Sequence, residues 1–272
     1  MAQVNTSVIK NWLTVPMIII AIMVTIGIFA PVISPYRTDD YGFSALLTPQ
    51  VNHILGTNNL GQDIFSLLLA GFRTSIIIAL SSAVLSTLIG TFMAAIATVY
   101  RGWLEKIIMR LTELLIMVPE IILILVFATF AGPGIQNIVV VIAIFSWARI
   151  ARIIKARTDL AINSERVQYT IMMKGNLLNI IGKMWRDIYP SISTLFVLQC
   201  GKAIMYEAEL ALIGISDPSV MTWGRLIRQS IDFGVVYHGN AFLWWLLPPV
   251  ICLVALIASI SFIVFNREGK KK

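Results

Sequence analysis

The sequence predicts an all-α membrane protein with six transmembrane helices, and three observations carry that prediction. Of the 272 residues, 58% are hydrophobic and 13% charged, with a mean hydropathy of +0.84. Soluble domains carry roughly 45–50% apolar and about 25% charged residues, so polar groups this scarce could not cover a water-soluble fold. Six runs then reach the roughly 20 apolar residues that a hydrocarbon core requires: 12–34, 75–99, 111–131, 135–154, 192–214 and 242–265. Finally, the basic residues fall unevenly between the connections, as they do when Lys and Arg are retained on the cytoplasmic side.

The first run follows a short stretch holding one lysine, Lys10. It is too long for a signal-peptide apolar region and lacks a small-residue cleavage site before Pro31, so it reads as an uncleaved anchor. A long polar segment, "SPYRTDDYGFSALLTPQVNHILGTNNLGQDIFS", separates it from the second run. The third and fourth runs are joined by "AGPGIQN", whose glycines and proline spell a tight reversal. Arg149 and Arg152 sit in the last turns of the fourth run, where long stems can carry their charges to the interface. An inner stretch, 157–190, precedes the fifth run, and "SDPSVMTWGRLIRQSIDFGVVYHGN" precedes the sixth. The chain closes on the basic tail "REGKKK".

Orientation follows from counting. With both termini inside, the inner regions hold Lys10, Arg101, Lys106, Arg110, Arg149, Arg152, Lys155, Arg157, Arg166, Lys174, Lys183, Arg186, Arg267, Lys270, Lys271 and Lys272, sixteen of the 21 basic residues. The outer regions hold Arg37, Arg73, Arg225 and Arg228, and Lys202 lies inside the fifth run. This asymmetry predicts cytoplasmic termini. It also accounts for the net charge of +7 without a nucleic-acid partner. Cys200 and Cys252 both fall in apolar runs, which argues against a disulfide and for small buried hydrophobes.

The inner stretch contains "GNLLNIIGK", superficially a phosphate loop. A P-loop needs four residues between its glycines and a hydroxyl after the lysine; here six residues separate Gly175 from Gly182, and Met184 follows Lys183. His53 and His238 both fall in outer connections and read as surface histidines. No H-E-x-x-H, G-x-S-x-G or C-x-x-C occurs, so neither catalytic nor metal-ligating residues are expected, and the chain is not expected to be an enzyme.

The same stretch reads as a helix pair. Leu177, Leu178, Ile181, Met184, Trp185 and Ile188 recur at helical spacing on one face, with Asn176, Asn179, Lys183, Arg186 and Asp187 on the other. Val167, Ile171 and Lys174 begin a shorter pattern that Gly175 can end in a left-handed conformation, and Asn176 then suits an N-cap. Periodicity leaves two uses open: an amphipathic helix lying on the lipid surface, or one docking in a groove of a soluble partner.

Several motifs, in one order, resemble the permease subunits of binding-protein-dependent ABC importers, specifically the second (C-type) permease of di/oligopeptide and nickel systems. "HILGTNNLGQDIFSLLLAGFRTSI" is similar to that family's G-T-D-x-x-G-R-D segment, with Asn58 and Gln62 in place of Asp and Arg. "YRGWLEKIIMRLTELLIMVPEIIL", "SWARIARIIKA", "YEAELALIGISDPSVMTWG" and "FLWWLLPPVICL" extend the likeness over about residues 50–265. The resemblance implies a type I importer permease fold in a bacterial cytoplasmic membrane. It divides the chain into an anchor helix and outer segment (1–72), a transmembrane domain (73–265) with a coupling loop at about 157–190, and a basic tail (266–272). It also implies a homologous permease, two cytosolic ATPases that hold the ATP and magnesium, a solute-binding protein outside, and a cargo of short peptides or nickel and metal chelates. No cofactor is expected in this chain itself. A channel or secondary transporter independent of any ATPase is the alternative.

In that resemblance the coupling helix is built around Glu-Ala-Ala and a downstream glycine. Aligned back from "RDIYP", Tyr169 matches a family tyrosine and Lys174 a basic position, whereas Ile171, Met172 and Met173 stand where Glu-Ala-Ala would, and Leu177 where the glycine would. Gly175 lies two residues away.

Ionisable residues within spans are costly and usually pair or line a cavity. Glu113 and Glu120, seven apart, would share a helix face, as would Lys202 and Glu209, with Glu207 off that face. Glu207 matches a family glutamate and Glu209 replaces a small residue. Two readings stand: interhelical pairing, or a pathway lining that favours cationic or zwitterionic cargo.

Overall fold

The computed structural model describes residues 6–235 and 239–269, with side chains described at 14–176, 179–235 and 239–266. Its elements are helices: α1 (Thr6–Ile33), α2 (Ile64–Val99), α3 (Trp103–Met117), α4 (Glu120–Ala131), α5 (Ile135–Ile162), α6 (Glu165–Met172), α7 (Leu177–Ile213), α8 (Trp223–Asp232), α9 (Ala241–Trp244) and α10 (Leu247–Gly269). The all-α membrane fold is as the sequence predicts, but the count of six spans is not reproduced. Among the described residues four helices are long and apolar enough to cross a membrane, and a bent pair makes up to five.

That pair is α3 and α4, bent by 92°, so the 111–131 run is not one straight helix. Pro119 causes the break. The residue before a proline is driven out of the α region, and Val118 is extended, at φ −91 and ψ 136. The 192–214 run is helical but is the C-terminal part of α7, which begins at Leu177 and passes through Pro190. The amphipathic stretch and the fifth run are therefore one helix. α5 also continues past the expected end at 154, so Arg149 and Arg152 lie inside it rather than in its last turns.

The chain divides into two compact units, one of Met1–Ala79, Gly132–Ile138 and Gly201–Lys272, the other of Leu80–Ala131 and Val139–Cys200. In lipid, helices gain little from hiding apolar surface and associate through close packing of small residues. The second unit shows this along α2 and α5. A Cβ on Gly90 would lie 2.8 Å from Ile150 Cγ2 and 2.9 Å from the Trp147 carbonyl, and Ala94, Ala97, Ala148 and Ala151 continue the seam as buried residues. At its end the Thr98 and Thr158 hydroxyls meet at 2.6 Å. Beside them Lys155, only 8% exposed, bridges Glu105 of α3 at 2.8 Å and Asp159 at 2.6 Å.

In the first unit α1 packs on α10 and touches α2 at Gly27, whose Cβ would meet Ile76. Among the described residues, most large side chains of α1, including Ile18, Ile22, Ile28 and Phe29, are exposed, as expected of a lipid-facing helix. α8 is capped by Thr222, which accepts from the Arg225 amide at 3.2 Å. It packs so tightly on α7 that a Cβ on Gly224 would lie 2.6 Å from Ala208 Cα. The turn between α4 and α5 is the tight reversal expected, with Gly132 at φ 76 and Gly134 at φ 138.

The Gly90 contact gives a test. Gly90→Val should overpack the seam by about 1–3 kcal/mol and lower the thermal midpoint of the detergent-solubilised protein, whereas Gly182→Ala, whose Cβ meets nothing within 4 Å, should leave that midpoint within experimental scatter.

Candidate functional site

The inner stretch folds as a helical hairpin, α6 and the start of α7. Helix α6 ends where Lys174, at φ 53, takes the left-handed position, so the lysine does what Gly175 was expected to do. Gly175 closes the turn instead: its amide donates to the Thr170 carbonyl at 2.9 Å, and a Cβ there would lie 2.9 Å from that oxygen. Asn176 caps α7 as predicted, its Oδ1 accepting from the Asn179 amide at 2.9 Å. Residues from Leu177 through Gly182 belong to α7, not to a loop.

A packed base holds the hairpin. Val167, Met184 and Ile188 are buried against Ala94 of α2 and Ile150, Ile154, Ala161 and Ile162 of α5. Arg166 donates to both oxygens of Asp187 at 2.9 Å, which ties α6 to α7. Trp185, expected on the apolar face, is instead exposed.

Among the charged residues it exposes, the hairpin presents an apolar patch at its tip. Tyr169 is 66% exposed, Met172 76%, Met173 67% and Ile171 39%. Lys174 is also exposed, while the Leu177 side chain lies outside those described. A recess of about 660 Å³ opens between the helices, lined by Tyr169, Met173 and Gly175 together with the charged Glu165, Arg166 and Lys183. Adjoining hydrophobic and aromatic surface of this kind, on a braced backbone, suits a protein partner.

The intramembrane charges divide. Glu113 pairs with Arg110 of its own helix at 2.9 Å. The bend separates it from Glu120, so the two do not share a face of one continuous helix. Glu120 reaches α5 instead, accepting from the Ser146 hydroxyl with Arg149 at 4.0 Å. On α7, Lys202 and Glu209 are half-buried, and Glu207 is 1% exposed and next to the Thr222 side chain. Cys200 and Cys252 are free and half-buried, less enclosed than expected.

Sequence reasoning missed the organisation of the outer segment. His53 is not a surface residue: it is 4% exposed, and its Nδ1 lies 3.0 Å from Asp63 Oδ1. The other Asp63 oxygen accepts from the Ser66 amide at 2.8 Å and hydroxyl at 2.7 Å, capping α2. Tyr36 and Phe43 rings flank the imidazole. Asn58 Nδ2 donates to Gln62 Oε1 at 2.8 Å, and Gln62 Nε2 to the Thr38 carbonyl at 2.6 Å. The residues standing for Asp and Arg thus form a neutral amide pair. His238 lies outside the described residues. Farther along, the Ser219 hydroxyl and then its amide, both donating to Asp217, hold that carboxyl below its usual range.

Comparison with known proteins gives a consistent result. A family model described as "Binding-protein-dependent transport system inner membrane component" matches residues 86–267. A protein of Brucella suis biovar 1, provisionally named a peptide permease, is 33% identical over 239 residues, covering 86% of this chain and 77% of its own. The corresponding Brucella ovis protein is 32% identical over the same shares. The glutathione transport system permease protein GsiD of Pectobacterium atrosepticum is 30% identical over 257 residues, 92% of this chain and 81% of its own.

The hairpin's exposure is testable by thiol labelling. In a background with Cys200 and Cys252 replaced by alanine, Met172→Cys and Met173→Cys should react with a polar maleimide within minutes, while Met184→Cys, at a position 2% exposed, should react only after denaturation.

Proposed function

The chain belongs to the family of inner-membrane components of binding-protein-dependent transport systems, and from that premise we propose that it forms half of the translocation pathway of an ATP-driven importer of short peptides. It is a multi-pass membrane permease. In the proposed complex it pairs with a homologous permease, two cytosolic ATPases supply the ATP and magnesium chemistry, and a solute-binding protein delivers cargo from outside. Both termini face the cytosol, a reading supported by the sixteen basic residues assigned inside against four outside. Peptide is preferred as cargo because the relatives carry peptide and glutathione transport in their names; no observation favours nickel or a metal chelate.

The observation that carries the proposal is the braced hairpin with Tyr169, Ile171, Met172 and Met173 uncovered. A groove on an ATPase receives this corner. Force applied to α6 passes through Val167 and Met184 into α5 and α2, because these side chains share one packed cluster and packed interiors transmit displacement rather than absorb it. Closure of the ATPases then reorients the permease pair, exposing cargo alternately to the two sides. Methionines suit a groove whose shape differs from the usual partner's.

Replacing Met172 and Met173 by glutamate should reduce ATPase co-purification at least tenfold while membrane insertion is unchanged; an ATPase-independent channel would keep full transport in that variant. Glu209 is assigned to the pathway or the sister subunit, so Glu209→Gln should cut peptide uptake by the intact complex at least fivefold with assembly preserved. Uptake equal to wild type would remove Glu209 from that role.

A further inference from the structure

The outer side carries a second candidate site, in the recess between the end of α1, residues 34–39 and the first turns of α2. It is an open space of about 660 Å³ lined by Arg37, Arg73, Ser34, Ser66, Thr74 and Ser219, among others. Most of the side-chain donors lining it are already engaged, the Thr38 hydroxyl and Arg73 excepted. Ser34 donates to the Tyr36 carbonyl at 2.8 Å, Ser66 to Asp63 at 2.7 Å, Thr74 to the Ala70 carbonyl at 3.1 Å and Ser219 to Asp217 at 2.6 Å. Arg37 grips both oxygens of Asp39 at 2.9 Å, which neutralises the acidic group lining the recess. The charged one of these two is Arg73: it is exposed, and among the described residues no acidic group or carbonyl is paired with it.

The remaining outer arginines differ in this respect. Arg228 is held by Asp232 at 2.9 Å, and Arg225 donates to the Val220 carbonyl at 3.0 Å. Arg73 alone among these four lacks a partner among the described residues. Its guanidinium presents a planar fork matched to a carboxylate. A space of this size exceeds that of a lone ion and falls in the range that admits a ligand segment or loop tip.

We propose that Arg73 receives an acidic side chain presented by the solute-binding protein when that protein docks to deliver cargo. The inference rests on the importer reading and on its orientation. The delivering protein is favoured over cargo as the source of the carboxylate because the recess is built from the outer segment and helix ends of this chain, which a docking protein meets before cargo is released.

The test uses the whole complex in lipid nanodiscs, titrated with its own solute-binding protein while ATP hydrolysis is followed. Arg73→Gln should raise the half-stimulating concentration about tenfold at low salt, leave the maximal rate within twofold, and flatten the dependence on sodium chloride, since exposed charge pairs act through screened attraction. Arg73→Lys should fall between, keeping the charge and losing the fork. Wild-type-like titration of Arg73→Gln overturns the proposal, as does loss of maximal rate with the half-point unmoved, the mark of a structural role. An effect that disappears when the binding protein carries C-terminally amidated peptide assigns the carboxylate to cargo and also overturns it. A wild-type complex that the binding protein does not stimulate at all defeats the delivery reading itself, and this inference with it.

Discussion

Close approach of α2 and α5 at Gly90 is the contact on which one unit depends. Lipid chains are as apolar as leucine, so a membrane helix pair cannot rely on expelling water and needs dispersion contacts at short range. Gly90 supplies the closest point, and buried alanines extend it to the paired hydroxyls of Thr98 and Thr158. The hairpin is seated on the same seam, since Ala94, Ile150 and Ile154 belong to the cluster that receives Val167 and Met184. A looser seam would leave the hairpin a mobile corner. With the seam closed, a push on α6 meets a packed wall.

The outer segment solves a different problem with different chemistry. It has few apolar residues and lies beside helices rich in them, so its fold is specified by hydrogen bonds. Asp63 serves three groups at once, the His53 ring and the Ser66 amide and hydroxyl, and thereby fixes the first turn of α2. Asn58 adds a local turn, its Oδ1 accepting from the Leu60 and Gln62 amides, each at 2.9 Å. Replacing a charged pair by an amide pair here costs little, because an amide can both donate and accept and the geometry needs only one of each. Gly56 and Gly61 complete the frame at φ 68 and 74, where a Cβ would lie 2.2 Å from a backbone oxygen.

What the sequence made legible follows from the range of each signal. Long apolar runs and the proline-glycine reversal are local, and the apolar stretches of α1, α2, α5 and α10 and the α4–α5 turn appear where composition places them, although α2 starts at Ile64 rather than 75 and α5 runs on to Ile162. The failures arise where a local rule meets its neighbour. The 111–131 run is apolar throughout, yet Pro119 breaks it, because hydropathy counts side chains and ignores the proline's demand on Val118. The run from Leu177 looked like two elements because polarity changes near Pro190; the backbone ignores that change. His53 looked exposed because nothing near it in sequence announces Asp63, ten residues on, as its partner.

The inner hairpin's physical meaning lies in what Ile171, Met172 and Met173 expose. A helix on a lipid surface would bury its apolar side in the interface and turn its charges to water. Here the buried face is already spent on α2 and α5 through Val167 and Met184, so the exposed methionines belong to the opposite side and to the helix end. Surface left uncovered there works against stability by about 25 cal/mol per Å² relative to burial. A permanent partner that covers it recovers that term, whereas a glutamate would have to be desolvated or paired on docking. The exposed Ile171, Met172 and Met173 therefore favour, for the proposed docking, an apolar and adaptable contact over one organised by charge.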